Sequence, residues 1–209
     1  GTGPYVLSEW DKGEKMVFTK NDYYWEEGCP KVDEIDMTVV ADDNTRIMQL
    51  ESGQIDIATQ IPYSRIDELK AVGGLNVSLF DSTDVKFVIL NCQSEKLSDK
   101  RVRQALELAT DKDAINKAVY FGYGEPANTF LSPSAPHYAA DLPTTSLDVE
   151  TAKGLMPEAG YADGMDLTVE VGSGDSAFLQ VATMLQTEWA EIGVTLDIQQ
   201  IDLATARQN

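Results

Sequence analysis

Val85-Lys-Phe-Val-Ile-Leu90, held between Asp84 and Asn91, divides this sequence into two regions of different character. Apart from Lys86 the run is entirely apolar, and three of its residues are β-branched. That is the composition of a strand buried on both faces. Upstream of it, short runs and turn residues predict a mixed α/β piece. Downstream, capped helices alternate with strands in the α/β manner.

Working back toward the start, Tyr5-Val-Leu-Ser-Glu-Trp10 and Lys15-Met-Val-Phe-Thr-Lys20 flank Asp11-Lys-Gly13, a pattern that predicts a hairpin. Val32, Ile35, Met37 and Val39 alternate with acids and Thr38 as a half-buried strand does. Asp42-Asp43-Asn44 offers caps for a helix reaching Ser52, with Gly53 as its stop. Ser64-Arg-Ile-Asp67 opens a second helix that ends at Gly73-Gly74. Residues 54–60 and 75–80 are expected to be strands.

Working forward, Ser98 is expected to cap a helix carrying Val102, Ala105, Leu106 and Ala109 on one face. Asp111 and Asp148 cap two more, the latter with Pro157 inside it, where proline kinks or shortens a helix. Residues 121–147 read as a long loop, and long loops in compact domains are often functional. Residues 167–171 and 194–201 predict strands on either side of a helix capped by Ser176 and stopped by Gly193. That helix places Phe178, Leu185 and Trp189 inward.

Asp and Glu number 35 against 16 Lys and Arg, a formal net charge of -19. Such a surface repels nucleic-acid phosphates, so no nucleic-acid partner is expected. No apolar run approaches the roughly 20 residues of a membrane span. Cys29 and Cys92 fit no zinc or redox spacing and are read as unpaired, mostly buried thiols. The single His137 has no partner acid at a recognisable spacing, which predicts a surface loop residue rather than a catalytic base. Gly172-Ser-Gly174 sits between a strand and a helix but lacks the remainder of a dinucleotide or P-loop fingerprint. No acid cluster matches a calcium loop, and no metal or cofactor is expected. Trp10, Tyr23, Tyr24 and Trp25 read as packing for the hairpin. Arg103 is expected to pair with Asp111 or Asp113.

The order of short motifs is more specific than any one of them. Gly1-Thr-Gly-Pro-Tyr5, Trp10, Gly13 and Asn21-Asp-Tyr-Tyr-Trp25 come first, then Leu50-Glu-Ser-Gly-Gln-Ile-Asp-Ile57. Leu97-Ser-Asp-Lys-Arg-Val-Arg-Gln-Ala-Leu106 and Ala109-Thr-Asp-Lys-Asp-Ala-Ile115 follow. Gly122-Tyr-Gly-Glu-Pro-Ala127 and Glu158-Ala-Gly-Tyr161 complete the series. Together they resemble the solute-binding proteins of peptide/nickel-type ABC importers, the bacterial extracellular solute-binding proteins of family 5. Pro157 and Cys92 depart from the family pattern locally.

The resemblance implies an α/β, mixed-sheet, two-lobed periplasmic-binding-protein-like fold of the large peptide-binding class, present here as an incomplete piece. Gly1 is not an initiating Met, and residues 201–209 read as a strand end followed by an unfinished helix. Residues 1–83 would belong to the first lobe, 84–92 to the crossing, and 93–209 to the N-terminal half of the second lobe. The implied function is capture of a peptide or related small solute outside the cytoplasmic membrane, in a periplasmic or lipid-anchored protein. The full-length protein would be a monomer that delivers solute to ABC permease subunits and has no enzymatic role. The solute class stays open among peptides, nickel chelates and oligosaccharides. Candidate ligand contacts are Lys86, Phe87 and Asn91 at the crossing, and Phe130, His137 and Tyr138 on the long loop. Phe87 reads equally well as core, whereas Asn91 reads first as a residue satisfying backbone groups at a strand end. The competing readings are a secreted acidic hydrolase, which would show two carboxylates about 5–10 Å apart in one cleft, and the ligand-sensing domain of a regulator.

Overall fold

The structure, a computed structural model, describes residues 1–173 and 175–202. The chain divides into two compact units, one of residues 1–77 and the other beginning at Ser78.

In the first unit, β1 (Tyr5–Asp11), β2 (Lys15–Lys20) and β3 (Glu34–Thr38) form an antiparallel sheet in that order. The hairpin turns at Gly13, whose φ of +84° suits a residue without Cβ. Register between β1 and β2 shifts by one residue between Leu7 and Glu9, leaving Ser8 as a bulge. The bulge has a clear effect. It puts Leu7 opposite Phe18 and Trp10 opposite Met16, both on one face, with Ile35 and Met37 continuing the two rows on β3. A strict two-residue period would have sent Leu7 and Trp10 to opposite faces. Asn21 explains why the opening motif needs it: its side-chain amide donates to Gly3 O at 2.8 Å and its backbone N–H to Pro4 O at 2.9 Å.

Helix α1 (Asp43–Glu51) starts at Asp42, whose carboxylate accepts from Thr45 N at 2.7 Å. It stops at Ser52 and Gly53, whose N–H groups return to Met48 O and Leu50 O. Arg46 then reaches outside the helix, donating to Val40 O and to Gln60 O, each at 2.8 Å. This corrects the strand expected over residues 54–60. There the backbone makes no ladder, and the Gln60 carbonyl bonds a guanidinium instead. A 3-10 turn at Tyr63–Arg65 leads into α2 (Ile66–Ala71), which buries Ile66 and Leu69.

In the second unit, β4 (Met165–Gly172) and β5 (Val194–Ile201) pair in parallel and are joined by α7 (Ser176–Ala190). Around them lie α3 (Glu95–Ser98), α4 (Lys100–Leu108), α5 (Lys112–Val119) and α6 (Val149–Glu158). The core forms where the apolar stripe of α4 (Val102, Ala105, Leu106) meets Ala152 and Met156 of α6, Leu185 and Trp189 of α7, and Val194 and Leu196 of β5. A fully buried Leu or Val is worth roughly 1.5–3 kcal/mol relative to exposure. Trp189 also spends its one donor well: Nε1 lies 3.1 Å from Leu106 O and 3.0 Å from Thr110 Oγ1. Gly164 and Gly193, both at positive φ, bring the strand starts together, and Met165 N donates to Gly193 O at 2.9 Å.

Several expectations need correcting. Residues 75–80 and 85–90 are not strands: no described strand pairs with them. The 85–90 run is not buried on both faces either, since Phe87, Val88 and Ile89 are 62%, 41% and 81% exposed. Its composition is that of a buried strand, but only Val85 and Leu90 are half-buried, Leu90 against the core of the second unit. The cap of α4 is Asp99 rather than Ser98, and that of α7 is Asp175 rather than Ser176. Pro157 falls in the last turn of α6 and does not break it. Arg103 donates to Leu97 O at 2.7 Å and Ser98 O at 2.9 Å, not to Asp111 or Asp113, because the end of α3 leaves those carbonyls unpaired. Both cysteines are free, but Cys29 is half-buried and Cys92 exposed. The helix expected after Ile201 lies outside the described residues.

Candidate functional site

Parallel strands align their carboxyl ends, and ligands of open α/β sheets bind in the crevice outside those ends. In the second unit that end lies at Gly172 of β4 and Ile201 of β5, which pair directly. Ser173 N donates to Ile201 O at 2.8 Å and Asp175 N to Gly172 O at 3.2 Å, folding the chain sharply into α7. Asp175 then caps that helix by accepting from Phe178 N at 2.9 Å. The helix start therefore carries an aromatic ring and a carboxylate side by side.

Lys86 meets this corner. Its ammonium lies 5.6 Å from the Phe178 ring centroid and donates to Asp84 Oδ2 at 2.6 Å. The hydrogen bond from Lys86 to Asp84 holds the ammonium above its ordinary range. Partial burial opposes that rise, and the charges of Asp84, Tyr120 and Asp175 add to it. Tyr120 closes α5, and α5 lies along α7, with Gln180 Nε2 donating to Ala118 O at 3.5 Å. Lys86, Tyr120, Asp175 and Phe178 thus combine a cation, a carboxylate, a phenol and an apolar ring. That set can orient a small solute carrying both charges and an apolar part.

The other expected contacts are more dispersed. Phe87 projects from the same unpaired segment and is largely exposed. Asn91 satisfies its own turn, accepting Gln93 N at 3.0 Å through its side chain and Ser94 N at 3.0 Å through its carbonyl. Phe130 is 73% exposed. His137 is exposed at a φ of +67°, and Tyr138 is half-buried with its N–H on Ala135 O. These three share a loop that touches the Lys86 segment through Ser132 and Ser134, both hydrogen-bonded to Ser82 O. Phe178, Tyr120 and Asp175 were not expected from the sequence. Phe178, expected to point inward from its helix, is instead 37% exposed with its ring beside Lys86, and the strand-turn-helix position of residues 172–176 was the only signal for it.

Two open hollows lie elsewhere and involve none of these residues. One, of about 290 Å³, is lined by Gln186, Gly193 and Thr195; the other, of about 360 Å³, by Gln104, Glu107 and Thr151. Neither gathers opposite charges and an aromatic ring as the Lys86 corner does. Among the described residues no group of three or more His, Cys, Asp or Glu side chains could hold a metal ion, and no helix is long and apolar enough to cross a membrane.

Comparison with known proteins gives a consistent result. The family model described as bacterial extracellular solute-binding proteins, family 5 Middle, matches residues 1–209. The glutathione-binding protein GsiB of Salmonella typhimurium is 32% identical over 202 residues, 97% of this chain and 39% of that protein. GsiB of Escherichia coli K12 is 30% identical over the same share. Among solved structures, NikA of Brucella suis in complex with Fe(III)-EDTA matches at a TM-score of 0.85 and 27% identity, covering 100% of this chain and 45% of that one. A dipeptide-binding protein of a Pseudoalteromonas species, in complex with Met-Leu, matches at 0.80 and 25%, covering 100% and 42%. The chain spans about two-fifths of the length of the curated relatives it matches.

Proposed function

We propose that this chain, which belongs to the family 5 bacterial extracellular solute-binding proteins, is part of the solute-capturing component of an ABC importer. The observation that carries the proposal is the family-model match along residues 1–209, with similarity over 97% of the chain to proteins named for binding glutathione and over its whole length to structures holding a dipeptide or a metal chelate. On this reading residues 1–83 lie in the first lobe, 84–92 form the crossing and 93–209 begin the second lobe. Solute closes the lobes, and the closed form is presented to permease subunits. The protein works outside the cytoplasmic membrane, free or lipid-anchored, as a monomer, and binds its solute without transforming it.

The chemistry of the Lys86 corner favours a peptide or peptide-like solute. A peptide carries a carboxylate that the Lys86 ammonium can meet, an ammonium that Asp175 can meet, and side chains that can lie on Phe178 or Phe87. Phe130, His137 and Tyr138 are proposed to contribute from the long loop. The net charge of -19 argues against a nucleic-acid partner.

The test is native mass spectrometry of the full-length protein to identify what co-purifies. Calorimetry with reduced glutathione, a dipeptide panel, a nickel–histidine chelate and an oligosaccharide would follow. Peptide binding weakened about 10-fold or more by Lys86→Ala, the cost of roughly 1.4 kcal/mol, is the expected result. If no probe of any of these classes bound, the importer reading would fail.

A further inference from the structure

Ser132 is 5% exposed, the one buried polar residue among those described, and it sits in a loop otherwise rich in proline and exposed side chains. Its hydroxyl lies 2.8 Å from Ser82 O and 2.7 Å from Ser134 Oγ, and Ser134 Oγ lies 3.0 Å from the same Ser82 carbonyl. Ser134 N adds a bond to Ser132 Oγ at 3.2 Å. The hydroxyl of the same Ser82 accepts from Asp84 N, two residues on, at 2.8 Å, and Asp84 holds the Lys86 ammonium. A series of hydrogen bonds, linked through the covalent frames of Ser82 and Asp84, therefore runs from the long loop to the cation beside Phe178. Residues 82–86 have no ladder partner among the described strands, so this series takes the place of sheet pairing in fixing where that segment lies.

We propose that Ser132 and Ser134 are positioning residues that hold Lys86 in place through Ser82 and Asp84, an inference that rests on the reading of Lys86 as a solute contact. The two hydroxyls make the arrangement redundant. They carry two protons for three oxygen–oxygen contacts, so either serine alone can still donate to Ser82 O. A carbonyl has two lone pairs and tolerates one or two donors. Loss of one hydroxyl leaves the anchor in place, while loss of both releases it. The effects of the two substitutions are therefore strongly non-additive, as expected for groups that share one partner.

The experiment uses the full-length protein with lysine labelled at Cε with carbon-13. The Lys86 ε-methylene resonance is identified by its loss in Lys86→Arg, and its ring-current displacement by the change in Phe178→Leu. Ser132→Ala and Ser134→Ala should each leave the displacement in place. The double variant should move it to the Phe178→Leu value and raise the rate of Lys86 acylation by an amine-reactive ester several-fold. Ser82→Ala, at an exposed position that bears on no core contact, should shift the same resonance by removing the Asp84 link, which keeps the test open even if the double variant does not fold. An unmoved Lys86 resonance in a folded double variant, or in Ser82→Ala, overturns the proposal. These readouts need no solute, so they separate failure of the positioning series from failure of solute capture, which Lys86→Ala reports.

Discussion

Replacing Gly164 with alanine measures how much the close approach of the two strand starts matters to the second unit. Gly164 has a φ of +87°, and a Cβ built there lies 2.6 Å from Gly193 O, a backbone atom that cannot swing aside. The backbone conformation alone costs a residue with Cβ about 1–2 kcal/mol. Moving Gly193 O also weakens its bond from Met165 N, whose net worth is about 0.5–1.5 kcal/mol. The sum is about 1.5–3.5 kcal/mol. Gly160 supplies the internal control, since it has a φ of +94° but nothing within 4 Å of its Cβ position. Gly160→Ala should therefore show the backbone cost alone, about 1–2 kcal/mol. Urea unfolding followed by tryptophan fluorescence reads both, provided the slope of the transition is unchanged. Equal losses in the two variants would refute the reasoning, because the contact at Gly193 would then add nothing.

Three further outcomes follow from the side-chain chemistry. The Arg101 guanidinium, together with the Arg101 backbone N–H, holds the Asp99 carboxyl down to about 2. An acid lowered in the folded state adds stability above its unfolded pKa that is lost as pH falls toward the folded value. Asp99→Asn should therefore flatten the decline in stability between about pH 4 and pH 2, and thermal melts across that window check it. Burial, with the charges of Asp111 and Glu191, raises the Glu188 carboxyl, only partly offset by its bond from Asp111 N. The sign is opposite here: ionisation costs the folded state, so stability from this group falls as pH rises through its raised pKa. Glu188→Gln, which can still accept from Asp111 N, should be more stable than wild type at neutral pH and equal to it in acid. Glu188→Ala should lose about 1–3 kcal/mol by leaving that N–H unpaired. Trp189→Phe should cost about 1–3 kcal/mol through a lost donor and a small cavity, read by denaturant midpoint.

Local features were the most legible in the sequence. Asp111 and Asp148 declared their helices because a carboxylate three residues before an N–H caps it whatever surrounds the helix, whereas among the three candidates at residues 42–44 only the structure picks out Asp42. At residues 98–99 and 175–176 serine and aspartate stand next to each other, both are capping types, and the choice between them depended on geometry the sequence does not hold. The hairpin was legible, its bulge was not. Residues 54–60, 75–80 and 85–90 show the opposite limit. Apolar pattern records that a segment is suited to burial, but not which element does the burying. Of the candidate site, Lys86 was visible as the one charge in an apolar run. Phe178 was misread as core because the periodic stripe that buries Leu185 and Trp189 runs out at the exposed start of the helix. The partners of Arg103 were misjudged because unpaired carbonyls compete with carboxylates for a guanidinium, and only the fold shows where they are.

The bulge at Ser8 works like a parity bit for the first sheet. A chain that lost this one residue would still be able to form the same ladder and the same turn at Gly13. Leu7 would stay opposite Phe18 and Trp10 beside Met16, because without Ser8 the two are an even number of residues apart and alternate onto one face unaided. The bulge is therefore the place in β1 where the strand can shorten by one residue without moving Leu7 off Phe18, whereas a single loss elsewhere in the strand shifts the pairs on one side of it.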